Sequence, residues 1–180
     1  MAIEDYESAL KDYKEALDKN PKFVPALVGR GQLYQEVGAI DLSFQDFQSA
    51  VEEDRSNYDA LFGLGKAQVL LGAGGRGVKT LDRAIKLDDQ NHEAFRLRAQ
   101  GHGATGDFDK ALEDIEKSLD LVPDDHETFF ALGTIQLQQE DYVSSLEAIS
   151  KSIEIYKPKD PEDELRFVQA YLTKPAVDVA

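Results

Sequence analysis

Gly72, Gly74 and Gly77 stand in the pattern G-x-G-x-x-G, directly after Val69-Leu70-Leu71 and ahead of Asp88. Glycines so spaced let a backbone approach a pyrophosphate, and a downstream acid can take a ribose hydroxyl. That chemistry requires a strand before the loop and a parallel sheet beside it. His92 and His126, each followed by Glu, and His102 elsewhere raise the question of a metal. Two imidazoles share a zinc readily at i and i+4 of one helix, and the sequence contains no such pair and no H-E-x-x-H. Carboxylates cluster at Glu52-Glu53-Asp54, Asp88-Asp89 and Asp124-Asp125. Acid–base catalysis needs two of them in a cleft that separates their pKa values. These clusters read instead as a solvated acidic surface. Neither G-x-S-x-G nor a Walker A sequence occurs. No catalytic residue, cofactor or metal is expected.

Composition narrows the classes further. Twenty Lys and Arg against 35 Asp and Glu leave a net charge of −15 over 180 residues. A nucleic-acid or anionic-membrane surface needs clustered cations, so neither is an expected partner. No apolar run approaches the roughly 20 residues that a membrane span requires. The N-terminus begins Met-Ala-Ile-Glu-Asp-Tyr-Glu, without a basic start or an apolar stretch. It shows no secretory signal, and a cytoplasmic location is expected. With no cysteine, disulfides and thiolate metal sites are excluded.

The elements that position these residues follow from an internal repeat. Gly31, Gly65, Ala99 and Gly133 are spaced by 34 residues, as are Leu27, Leu61, Phe95 and Phe129. Gly38, Gly72 and Gly106 keep the phase, and Glu140 breaks it. Ala16, Ala50, Ala84, Ser118 and Ser152 form a further column of small residues. Within one period, Leu27, Gly31, Tyr34 and Gly38 make one helical stripe, and Phe44, Phe47, Ala50 and Val51 make a second. Glycine at the end of the first stripe supplies a left-handed turn. Asp107 stands at an N-cap position, and Pro21 and Pro123 follow second helices, which cannot continue through them. In this phase Val69–Leu71 ends a helix and the glycine pattern is an interhelical turn, so no nucleotide is expected. Gly74, Gly75 and Gly77 then open a helix, and Gly101 and Gly103 lie in the next. Each costs roughly 0.5–1 kcal/mol relative to Ala. The middle of the array is thus expected to be its softest part, and Gly77→Ala to stabilise it.

Leu27, Gly31, Tyr34, Phe47 and Ala50, and likewise Phe95, Ala99, Ala111 and Pro123, resemble the tetratricopeptide repeat family, whose period is also 34. The resemblance implies an all-α, right-handed superhelical solenoid of antiparallel helix pairs. Residues 4–21 read as the second helix of a truncated repeat, and complete repeats run 24–57, 58–91, 92–125 and 126–159. Proline is replaced by Arg55 and Asp89, the aromatic of the Tyr34 column by His102, and the small Ala of the Ala9 and Ala111 column by Gly77. Asp160-Pro161-Glu162-Asp163 and the stripe Leu165, Val168, Tyr171, Leu172 read as a capping helix over 160–174. The N-terminal half-repeat lacks such a cover. Either the chain is a fragment of a longer protein, or that face meets a partner.

In the family, the first helix of each repeat lines a concave groove. The resemblance implies a groove built from Val28, Gln32, Phe62, Lys66, Val69, Arg96, Gln100, Phe130, Thr134 and Leu137, with Asp59, Glu93 and Glu127 at its rim. Phe62 and Phe130 would be anchors or would turn into helix packing; as anchors, they suit a ligand whose apolar side chains flank an acidic one around Arg96. Co-chaperone members clamp acidic chaperone tails with Lys, Asn and Arg. The matching positions here hold Val28, Gln32, Gly63, Glu93 and Leu97, or one repeat later Phe62, Lys66, Leu97, Glu127 and Ala131, so that clamp is not expected. The expected function is a scaffold or adaptor module that binds a peptide or helix of a partner protein. The alternative is a structural segment of a larger assembly that stacks on itself through its uncovered N-terminal helix. No enzymatic activity is expected.

Overall fold

A computed structural model describes residues 3–156, with side chains from Tyr6 onward. Its helices run α1 Ile3–Lys19, α2 Val24–Glu36, α3 Ile40–Glu53, α4 Tyr58–Leu70, α5 Gly74–Leu87, α6 His92–Ala104, α7 Phe108–Leu121, α8 His126–Gln138 and α9 Tyr142–Ile155. No strand occurs among the described residues. The proposed cap at 160–174 lies outside them.

Local chemistry starts and stops these helices. Gly38, Gly72 and Gly106 end α2, α4 and α6 at φ of 76°, 77° and 78°, a region that only glycine enters without strain. Residue 140 takes the same conformation, φ 64°, with a glutamate in place of glycine. The geometry is enforced because Asp141 N donates to Gln136 C=O at 2.9 Å, as Ala39 N does to Tyr34 C=O at 2.8 Å in the first pair. Asn57, Asn91, Asp125 and Asp141 cap α4, α6, α8 and α9 with side-chain oxygens. Asp107 does hold the N-cap position of α7, but its side chain makes no cap bond and binds Lys110 Nζ at 2.5 Å instead. Pro25 opens α2, where a missing N–H costs nothing.

Packing within each pair sets one small residue against one large one. Gly31, Gly65, Ala99 and Gly133 face the column Phe47, Leu81, Ile115 and Ile149 of the second helices. A methyl at Gly65 would come 2.6 Å from Leu81 Cγ, and one at Gly133 the same distance from Ile149 Cγ1. Phe47 and Leu81 are almost completely buried. The hydroxyls of the small-residue column bond backward: Ser118 Oγ donates to His92 C=O at 3.0 Å, and Ser152 Oγ to His126 C=O at 2.8 Å. These bonds tie each second helix to the start of its own first helix.

Helices also approach closely at the glycine-rich centre. A methyl on Gly77 would stand 2.5 Å from Val69 Cγ2 and 3.3 Å from Gly65 O. One on Gly101 would stand 2.8 Å from Val78 Cγ2 and 3.1 Å from Gly74 O. Gly77 therefore admits α4 against α5, and the expectation that Gly77→Ala stabilises is reversed. The helix-propensity cost of these glycines is offset by contacts that a side chain would prevent.

First helices touch in series, α2 with α4, α4 with α6 and α6 with α8. Second helices α3, α5, α7 and α9 contact first helices but not one another. Tighter spacing on one side bends the stack toward it. The first helices hence form the inner, concave surface, and the second helices form ridges outside.

The candidate groove on the inner face

Polar contacts bridge each adjacent pair of first helices. Between α2 and α4, Gln35 Nε2 donates to Gly63 C=O at 3.0 Å. Between α4 and α6, Lys66 Nζ meets Glu93 Oε1 at 2.6 Å. Between α6 and α8, Arg96 Nη2 meets Glu127 Oε2 at 2.5 Å and also lies 3.4 Å from Glu93 Oε1. Lys66, Glu93, Arg96 and Glu127 thus make one chain of alternating charge across three helices. Arg96 is its most enclosed member, 8% exposed. Its Nε has no hydrogen-bond partner, and the nearest carboxylate oxygen, Asp125 Oδ2, is 3.8 Å away.

This arrangement changes the charge that a ligand meets. Arg96 does not stand as a free cation between the two phenylalanines; its guanidinium braces α6 against α8. Lys66 is held in the same way by Glu93. Asp59 and Glu127 remain exposed. The paired charges cancel and Asp59 leaves the inner face weakly negative, so the acidic ligand group expected from the sequence finds no free cation there.

The apolar residues divide by depth. Val28 is buried in the core with Leu27 and Phe47, and it is removed from the surface. Phe62 is half-buried: one side packs on that core, and its ring stacks on Tyr58 with centroids 6.0 Å apart and planes within 2°. Tyr58 OH accepts from Asn91 Nδ2 at 2.9 Å. Burial pushes the Tyr58 phenol up from its ordinary pKa, against the Asn91 bond, with Asp88, Asp59 and Glu93 adding to the rise. Phe130, Gln100, Thr134 and Leu137 are half-buried on α6 and α8, and Gln32 is exposed on α2. Val69 differs from them, since its Cγ2 is directed at Gly77 of α5. The inner face therefore gathers Gln32, Phe62, Lys66, Gln100, Phe130, Thr134 and Leu137, and it leaves Val28 and Arg96 underneath as support.

Sequence reasoning missed the Tyr58–Phe62 stack, although two aromatics at i and i+4 of one helix signal it. It also missed the bracing role of Arg96, for which Glu93 at i−3 and Glu127 one period after Glu93 were the cue. Other features of chemical interest sit elsewhere. The segment Gly72–Gly77 runs from the turn after α4 into the first turn of α5, and no strand lies beside it among the described residues. His92 and His126 head α6 and α8, and no cluster of three or more His, Asp or Glu able to hold a metal occurs among the described residues. No described helix is long and apolar enough to cross a membrane.

Helix pairs stacked through their first helices, with a continuous inner face and ridged outer face, define a superhelical repeat scaffold. The chain belongs to the tetratricopeptide repeat family, whose profile matches residues 1–58 and 96–163. The family's fold is a scaffold for protein–protein interaction. Three solved structures share the architecture. MamA superposes with a TM-score of 0.70 at 21% identity, covering 94% of this chain and 98% of that one. YrrB, described as a TPR protein with an unusual peptide-binding site, gives 0.70 at 23% identity, covering 93% and 85%. TTC0263, a thermophilic TPR protein of Thermus thermophilus, gives 0.69 at 21% identity, covering 93% and 91%. No curated protein matches the chain in sequence.

Proposed function

We propose that the protein holds a peptide or short helix of a partner protein against its inner face. The observation that carries this reading is the pair of half-buried phenylalanines, Phe62 on α4 and Phe130 on α8, set on either side of a braced and largely neutralised charge chain. Aromatic side chains partly sunk in a rigid wall bind with little loss of conformational freedom. The exposed carboxylate of Asp59 favours a ligand whose apolar anchors are accompanied by basic rather than acidic residues. The peptide-binding description of the structurally similar YrrB agrees with this use of the fold. We assign the complete repeats to 24–57, 58–91, 92–125 and 126–159, with α1 as the second helix of an earlier repeat.

The test is a peptide library selected on the full chain, followed by titration of the best binder against variants. Phe62→Ala and Phe130→Ala should each cost roughly 1–3 kcal/mol of binding with helicity retained. Gln45→Ala on the exposed face of α3 should cost nothing measurable. Binders indifferent to both phenylalanines would remove the groove reading. Self-association in sedimentation, abolished by changes in α1, would put the assembly reading in its place.

A further inference from the structure

The ridges on the outer surface carry a charge pattern that the groove does not use. Every second helix turns the same sequence columns outward. In α7 these columns mix acids with Lys110 and Lys117, and each lysine is paired within its helix end, to Asp107 at 2.5 Å and to Asp120 at 3.6 Å. In α9, Lys151 is paired with Glu154 at 3.1 Å. In α5 the corresponding positions hold Arg76, Lys79, Arg83 and Lys86, all four exposed. None of the four enters an ion pair among the described residues. Spaced i, i+3, i+7 and i+10, they occupy one stripe of the helix. Like charges so placed repel, and no ion pair among the described residues offsets that cost. In a protein of net charge −15, this is a local reversal of sign.

The stripe has defined edges. Arg83 Nη2 donates to Arg55 C=O at 2.7 Å, which holds it at the mouth of a crevice of about 340 Å³ between α3 and α5. Leu87, one turn beyond Arg83, is 51% exposed. From Arg76 to Lys86 the stripe is about 15 Å long, ten residues at the α-helical rise, and it is one helix wide. On either side the neighbouring ridges show exposed carboxylates, Glu52 on α3 and Glu113 and Glu116 on α7. A nucleic-acid duplex or an anionic bilayer is wider than the stripe and would press phosphates against those carboxylates. A single acidic helix, about 10–12 Å across, matches the one-helix width of the stripe. At physiological salt, charges more than about 8 Å away are screened, so the remaining negative charge of the molecule does not forbid the approach.

We infer that the outer face of α5 is a second docking surface, taking an acidic amphipathic segment of a partner protein. Carboxylates of that segment, recurring once per turn, meet Arg76, Lys79, Arg83 and Lys86, and an apolar side chain covers Leu87. This surface is independent of the inner groove.

The test titrates a fluorescein-labelled peptide of Glu, Leu and Ala, with carboxylates at i, i+4 and i+7, against the full-length chain at physiological salt, following anisotropy. The double variant Arg76→Glu, Lys79→Glu should weaken binding at least about tenfold. The neutral pair Arg76→Gln, Lys79→Gln should weaken it in the same direction but less, and it covers the case in which the reversal disturbs folding. Lys110→Glu, Lys117→Glu on α7 changes the net charge equally and should alter binding by less than about twofold, as should Phe62→Ala in the groove. Equal losses from the α5 and α7 pairs, or no loss from either α5 pair, would overturn the proposal. So would tighter binding of duplex DNA or of phosphatidylserine vesicles than of the peptide, lost in the α5 variants, since the stripe would then read phosphate polymers or surfaces.

Discussion

Gly75 and Gly77 lie one turn apart or less at the start of the same helix, and the structure assigns opposite signs to the same substitution. Replacing a helical glycine by alanine gains up to about 1 kcal/mol, because the unfolded chain loses freedom that folding would otherwise remove. At Gly75 the added methyl finds only Thr105 Cγ2, at 3.6 Å, an ordinary contact. Gly75→Ala should thus stabilise by about 0.5–1 kcal/mol. At Gly77 the methyl meets Val69 Cγ2 at 2.5 Å and the backbone atoms Gly65 O and Val69 N at 3.3 Å. The valine can move only by leaving its rotamer, and the backbone contacts require α4 and α5 to separate by a few tenths of an ångström. Overpacking of this kind costs roughly 1–3 kcal/mol, which exceeds the propensity gain. Gly77→Ala should therefore destabilise by about 1–2 kcal/mol. Urea denaturation followed by circular dichroism measures both, provided the m-value is unchanged. A double-mutant cycle with Val69→Ala gives a sharper check. The smaller side chain should recover part of the Gly77→Ala loss, with a favourable coupling of about 1 kcal/mol, the remainder belonging to the backbone contacts. If Gly77→Ala stabilises as much as Gly75→Ala, the glycine acts on the unfolded chain alone, and the close packing of α4 on α5 is not what retains it.

Glu140→Gly should raise stability by about 1 kcal/mol, because a glutamate at φ 64° carries left-handed strain that glycine does not; a loss of stability in thermal unfolding would refute this. Arg98 spans two second helices, bonding Asp114 at 2.6 and 2.8 Å and Asp82 at 2.7 Å. Arg98→Met leaves the Asp114 carboxylate, 6% exposed, without its cation and should cost about 3 kcal/mol, read by urea denaturation. Adding Asp114→Asn should recover part of that loss, whereas a further loss would show that the pair acts through packing alone.

Much of this protein is determined by spacing along the chain. A period of 34 residues dictates helix pairs, since apolar residues at helical intervals bury one stripe wherever the helix lies. The left-handed turns after α2, α4 and α6 follow from Gly38, Gly72 and Gly106, and the matching of small to large residues within a pair follows from columns that can be read directly. The basic spacing of Arg76, Lys79, Arg83 and Lys86 is equally present in the sequence. These are local properties, settled within one or two turns of helix.

What only the tertiary structure decided concerns neighbours that are distant in sequence. Gly77 reads as a pure cost in its own helix, and it becomes necessary once Val69 and Gly65 of α4 lie against it. Arg96 reads as a groove cation, and Glu127, thirty-one residues later, turns it into a brace. Val28 and Phe62 occupy equivalent positions one period apart, yet one is buried and the other half-buried, a difference that the repeat pattern does not show. Asp82 stands three residues after Lys79, the spacing that pairs Lys110, Lys117 and Lys151 with acids, yet the fold draws it to Arg98 of α6 at 2.7 Å. The period determines which residues recur. Charge pairing and close contact act through space over a few ångströms, and their outcome depends on which helix the superhelix lays alongside.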